Sequence, residues 1–329
     1  MYEDRSFLWP IIGGLVVTIL FCSVMLVRGT GEKRYQVSVI VSDSSQDRWV
    51  PLKAGLTQAA KDNNIDLSYV YTDYIDDVFT QTTLINQEIA DGADGIITDF
   101  CLSMGTAEIV RNIIARVPVE FIITNVDADA DISGNYATVM TDNVEVGRAI
   151  GNELVIDYGD RLKGMKIGII AGNQQQYAMQ DRLKGFLDAV GAKEPEIVWT
   201  VEESRFLEQE LKRSMERVTP AVIVGLDNTS LEAAVDYVAT SETETEKEKL
   251  SLYGAGCSEK LAYYIDNGTI ASMILPNEFS MGYQSLTDLS AKLRNRMLML
   301  EDREQGFNVV HQDNLFRDEN QRILFPIVQ

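Results

Sequence analysis

Val37-Ser-Val-Ile-Val-Ser-Asp-Ser-Ser-Gln-Asp-Arg-Trp-Val-Pro-Leu-Lys-Ala-Gly55 reads as a short apolar strand, a polar loop and the start of an amphipathic helix. The stretch decides the fold because its pattern occurs twice. Val37 and Ile167 each open an apolar run, and Gly55-Leu56-x-x-Ala59 and Gly185-Phe186-x-x-Ala189 fall at matching points of the helices that follow. Val70 and Thr200 keep the same spacing of 130 residues. Self-similarity of this kind marks two copies of one doubly wound unit, each turning its strand ends and loops to a switch point, and two such units facing one another form a cleft. Any two βαβ units look partly alike, and a shared Gly-x-x-x-Ala also serves close helix-to-sheet packing, so the repeat alone leaves that plainer reading open.

Outward from this stretch the chain alternates apolar runs with amphipathic segments, the rhythm of a parallel sheet. Strands are predicted at 36–42, 67–71, 95–98, 119–124 and 137–140, then at 166–171, 196–200, 221–225, 251–254 and 270–274, with helices at 178–190, 206–217 and 230–239 in the second set. Toward the N-terminus, residues 7–27 form a run without charge, and 21 residues reach across a bilayer core of about 30 Å. A cleaved signal would have a basic start and a shorter apolar core, whereas Met1 to Arg5 carries Glu3 and Asp4. An uncleaved membrane helix is therefore expected, after a tail at 1–6 and before a linker at 28–34. Phe21 before Cys22 argues against lipid attachment at that cysteine. Arg28, Lys33 and Arg34 follow the helix and only Arg5 precedes it, so charge alone would leave the large domain in the cytoplasm.

Length and composition suit two domains plus a short segment: 329 residues, 45% hydrophobic and 24% charged. With 29 Lys+Arg against 50 Asp+Glu the formal charge is −21, which repels phosphate backbones and excludes nucleic acid as a partner. Cys22, Cys101 and Cys257 have no paired spacing, which points to free thiols and against a zinc site. The run Ser241 to Lys249 is expected as a solvated loop or helix end. His311 is the only histidine and has no recognisable partner motif, and HExxH, GxxxxGK[ST] and GxGxxG after a strand are all missing from the sequence. The expectation is a non-enzyme, with no catalytic residue, no metal and no cofactor.

The 37–55 stretch resembles the first strand, ligand loop and first helix of ribose- and galactose-binding-protein-like receptors, the type I periplasmic binding proteins. Gly92-Ala-Asp-Gly-Ile-Ile-Thr98, Val117-Pro-Val119, Thr141-Asp-Asn-Val-Glu-Val-Gly-Arg148, Asp181-Arg-Leu-Lys-Gly-Phe186 and Asp266-Asn-Gly-Thr-Ile-Ala271 resemble that family's landmarks in its order, over residues 35 to about 290. The resemblance implies an α/β fold of two doubly wound parallel-sheet lobes around a ligand cleft, with hinge crossovers, in addition to the transmembrane helix. It implies an N-terminal lobe of 35–141 plus 276–306, a C-terminal lobe of 142–275 and a segment at 307–329 returning through the hinge. It also implies an extracytoplasmic domain, overriding the charge count.

For the site, the resemblance brings Gln46, Arg48 and Trp49 to the ligand. Trp49 is expected to stack on a sugar face, its alternative being a core or helix-start anchor. Asn125 or Asp127 matches a polar position after the fourth strand, and Thr141 and Asp142 match the crossover pair, although Asp and Asn also favour turns and caps. In the second lobe Gln180 replaces a ligand-holding arginine, with Arg182 beside it expected to support packing. Leu226 precedes Asp227 where Asn is common, Ala255-Gly256 replaces Phe-Asp, and Asn277 lies near a glutamine position. The implied partner is a small polar, sugar-like ligand, with a histidine kinase or an ABC-type permease reading the closure. The alternatives are an enzyme on the same scaffold and, least favoured, a regulator-type ligand domain.

Overall fold

The computed structural model describes residues 14–19, 34–127, 134–240 and 250–326. Residues 14–19 are helical, with the Thr18 hydroxyl donating to the Gly14 carbonyl at 2.8 Å. The rest of the expected membrane helix at 7–27, and the run Ser241 to Lys249, lie outside the described residues. Among those described, no helix is long and apolar enough to cross a membrane.

Residues from Tyr35 onward form one compact unit built on two six-stranded sheets. The first set of elements is β1 (Gln36–Ile40), α1 (Val50–Asp62), β2 (Asp66–Tyr69), α2 (Val78–Ala90), β3 (Gly95–Thr98), α3 (Ala107–Ile114), β4 (Val119–Ile122) and β5 (Tyr136–Thr141). The second is α4 (Asn143–Tyr158), β6 (Lys166–Ile170), α5 (Tyr177–Gly191), β7 (Glu196–Val201), α6 (Leu207–Arg217), β8 (Val222–Gly225), α7 (Asn228–Thr240), β9 (Ser251–Ala255), α8 (Glu259–Asp266) and β10 (Ile270–Pro276). Then come α9 (Glu278–Arg294), β11 (Arg303–Gln305), β12 (Phe307–Val310) and α10 (Asp318–Leu324).

The sheet orders are β11-β5-β4-β3-β1-β2 and β12-β10-β9-β8-β6-β7. Pairing is parallel throughout except for β12, which runs antiparallel to β10. The repeat holds in register: Val37 pairs with Leu67 and Gly95, and Ile167 with Ile197 and Val222. Strands such as β3, β4 and β8 are buried along their whole length, because helices cover both faces, so they read as unbroken apolar runs.

Three connections cross between the lobes, at Thr141–Asn143, Pro276–Glu278 and Gln305–Phe307. The Asn277 amide donates to the Gly306 carbonyl at 3.1 Å, joining the second crossing to the third.

The repeated glycines serve helix-to-helix packing rather than helix-to-sheet packing. A methyl group on Gly55 in α1 would lie 2.0 Å from the Phe279 carbonyl oxygen of α9, and one on Gly185 in α5 would lie 2.0 Å from that of Val144 in α4. Gly282 and Gly147 answer them from the partner helices, against Leu52 and Arg182. Each lobe is thus locked by one close helix pair whose backbones touch.

Candidate functional site

Strand C-terminal ends of both sheets converge on one crevice. The loop after β1 supplies Gln46, Arg48 and Trp49, the segments after β2 and β3 supply Tyr74 and Asp99, and the second lobe answers with Asn173 and Gln176 after β6, Glu203 after β7, and Asp227 and Thr229 after β8. Strand ends at a topological switch point are where open α/β sheets place ligands. The crevice leaves a space of about 30 Å³, room for a water molecule or two. A hollow of about 400 Å³ continues outward from it past Gln46, Tyr74, Glu203 and Thr229. A larger hollow of about 960 Å³ lies against α10 and Phe325, away from the strand ends.

The two lobes are tied across this crevice. Gln176 Nε2 donates to Asp99 Oδ1 at 2.9 Å and to the Phe100 carbonyl at 2.8 Å, and Asn173 Nδ2 to the Cys101 carbonyl at 2.9 Å. At the start of α5 the Tyr177 amide donates to Ser103 Oγ and the Ala178 amide to Thr124 Oγ1, both at 3.1 Å. Gln176, the cap residue of that helix, makes no side-chain cap bond. First-turn amides need acceptors, and here hydroxyls of the opposite lobe provide them. At the mouth, Arg205 grips Asp76 of the other lobe with two bonds of 2.9 and 3.0 Å.

The crevice is rich in buried charge. Arg48 lies 4.4 Å over the Trp49 ring, and its Nε is buried without a partner. Burial pulls the arginine down, but Glu278, Asp227, Asp99 and Glu203 more than offset this and hold it above its ordinary value. Burial raises Asp99 to about 6, against the pull of Arg48. Glu278, 5% exposed with Oε2 unpartnered, is raised by burial to about 7. Glu203 is also raised, by burial and then by Asp227. Arg182 is lowered to about 10 by burial. It donates to Asn143 Oδ1 and the Leu226 carbonyl, bracing the end of β8 from behind.

Comparison with known proteins accords with this geometry. Residues 37–297 match the periplasmic binding protein domain family. The chain belongs to that family. This periplasmic binding protein is similar to the ABC transporter periplasmic-binding protein YphF of Escherichia coli K12, 22% identical over 270 residues, 79% of this chain and 80% of that one. A carbohydrate transporter solute binding protein from Agrobacterium radiobacter, solved in complex with D-arabinose, superposes with a TM-score of 0.78 at 17% identity, over 89% of this chain and 100% of that one. The Caulobacter myo-inositol binding protein, solved bound to myo-inositol, gives 0.75 at 20% identity, over 89% and 97%. At these identities the likeness shows the fold. Family membership makes the chain an extracytoplasmic solute-binding protein and not an enzyme. His311 sits accordingly, its Nε2 2.5 Å from Glu153 Oε2 within the second lobe.

Of the residues expected at the site of this periplasmic binding protein, Gln46, Arg48, Trp49 and Asp227 line the crevice. Trp49 is 1% exposed and part of the first lobe's core. Asp227 also caps α7 through the Ser230 amide at 2.8 Å. Asp127 instead accepts from the Gly105 amide and the Tyr177 hydroxyl, each at 2.7 Å, which makes it an inter-lobe tie. Neighbouring Asn125 is exposed and uses its carbonyl to accept from Ser103. Thr141 is buried at the end of β5, opposite Gln305. Asp142 caps α4 and Asn277 caps α9, the local roles their side chains favour. Gln180 turns back to the Gln174 carbonyl at 2.8 Å. Tyr74, Asp99, Asn173, Gln176, Glu203 and Thr229 were not anticipated, yet each follows the end of a strand within a few residues, the signal that could have found them.

Proposed function

We propose that this protein is a receptor for a sugar-like polyol, tethered by residues 7–27 with its two lobes outside the cytoplasm, and that the lobes open to admit the solute and close over it. The observation that carries this reading is the crevice itself, where polar side chains from six strand ends converge between lobes joined by three crossings. Solved structures of the same fold hold D-arabinose and myo-inositol, which supports a polyol here. Gln46, Arg48 and Asp227 are the proposed contacts, with Trp49 beneath Arg48, so that a solute meets the guanidinium laid on the ring. Asn125, Asp127, Thr141, Asp142, Gln180 and Asn277 would act on closure or packing. An ABC-type permease receiving the solute, or a histidine kinase sensing the closed form, would read the state.

The test is a thermal-shift screen of the full chain in detergent micelles against sugars, polyols and nucleosides. A ligand at a hundredfold over its Kd adds about 2.7 kcal/mol to the folded state. Arg48→Ala should abolish the shift of any solute that binds; an unchanged shift rejects the crevice as the site. Co-purification with kinase or permease subunits then separates the two outputs.

A further inference from the structure

Around the crevice and the hollow outside it carboxylates outnumber cations. Asp99, Glu203 and Asp227 line the crevice, and Glu203 lines the outer hollow together with Glu208, Glu232 and Asp236. Two nearby cations are already paired with carboxylates. Arg205 is held by Asp76, and Lys260 lies 2.7 Å from Asp236 and 3.7 Å from Glu232. Among the described residues Arg48 is the cation lining the crevice, with Arg182 acting from behind on Asp227, Glu278 and Asp99, and the carboxylate acting most strongly on Arg48 is Glu278, itself buried with an unpartnered oxygen. Asp227 and Asp99 have hydrogen-bond partners in Ser230 and Gln176, whereas the Glu203 side chain makes no hydrogen bond.

Solute hydroxyls would give these carboxylates hydrogen bonds but no opposing charge. In a desolvated crevice an unopposed charge is the larger cost. A negatively lined cleft also focuses its field outward and gathers cations from solution.

Resting on the receptor reading above, we infer that the solute is a cation: a polyhydroxylated frame bearing a protonated amine, the ammonium taken up by Glu203 with Asp227 and Asp99 close by. Glu203 is the specificity-determining residue, since it alone of the three lacks a partner in the fold. The groups facing it are Asp227, Asp99 and Asp43 on the acidic side, Arg48 on the basic side, and the Tyr74 hydroxyl.

D-glucosamine and D-galactosamine, each against its neutral parent D-glucose or D-galactose, test this on the full chain in micelles by calorimetric titration at pH 5 and pH 6.5, both below the range where a sugar amine loses its proton. The amino sugars should bind about tenfold or more tightly than their parents. Binding an ammonium favours the ionised carboxylates, so the amine's advantage should grow from pH 5 to pH 6.5, as Asp99 ionises while the amine keeps its proton, and the neutral sugars should stay level. Glu203→Gln should erase the preference and its pH dependence while keeping the melting behaviour of the free protein cooperative. Neutral sugars binding as tightly as the amino sugars, or a preference that survives in Glu203→Gln, overturns the cation inference and leaves the receptor reading standing. Failure of all four sugars to bind overturns this inference and the sugar-receptor reading together.

Discussion

Glu120 stands in the middle of β4, fully buried, with neither carboxylate oxygen partnered. Burial, and then Asp288 and Asp302, hold it well above the usual carboxylate range, with Arg303 pulling the other way. A buried carboxyl held this far above its ordinary range must take up a proton on folding at pH 7, and a neutral amide in its place removes that cost. Glu120→Gln should therefore raise stability at pH 7 by about 1–3 kcal/mol, read from urea denaturation. Asp99, Glu203 and Glu278 are raised in the same direction. Such groups keep protons in the folded state that the unfolded chain releases above about pH 4, so their contribution is full below that range and is lost as pH climbs through about 6 to 8. The melting temperature of the free protein should accordingly fall from pH 5 to pH 8, and Glu120→Gln should flatten that slope. At this scale the sequence was only partly legible. Gln46, Arg48 and Trp49 stood out because their loop resembles a known one, but Asp99 and Glu203 are two acids among fifty, and nothing in their immediate neighbours tells a lining carboxylate from a solvated one.

The elements were the most legible part, because strands covered on both faces must be continuously apolar and amphipathic helices must alternate with them. The observed β1, β3, β6 and β9 begin at the predicted residues. The purpose of Gly55 and Gly185 was harder to read. A glycine that admits a neighbouring backbone leaves the same trace whether the neighbour is a strand or a helix, and neither partner, Gly282 or Gly147, belongs to the repeated motif. Since a Cβ at Gly185 would collide with backbone, Gly185→Ala must push α4 and α5 apart and should cost about 2 kcal/mol or more. Alanine at exposed Gly191, where the added methyl meets nothing, is the control; thermal melts of the pair check the difference.

For the molecule as a whole, the closed arrangement depends on bonds that reach from lobe to lobe. The Arg205–Asp76 pair is more than two-fifths exposed on both sides, so it should hold closure by about 1 kcal/mol or less and weaken in salt. Arg205→Ala should raise the radius of gyration of the solute-free protein in X-ray scattering at low salt, with a smaller difference at high salt. An identical radius in both proteins would remove the pair from the closing mechanism. The Asn277–Gly306 bond bears on what the protein tells its surroundings. With two of its three connecting strands stapled side by side, the waist would bend about one axis more readily than it would slide or twist. In the receptor proposed above, a partner docked on the outside would then meet a hinge that swings about that axis, shut or ajar.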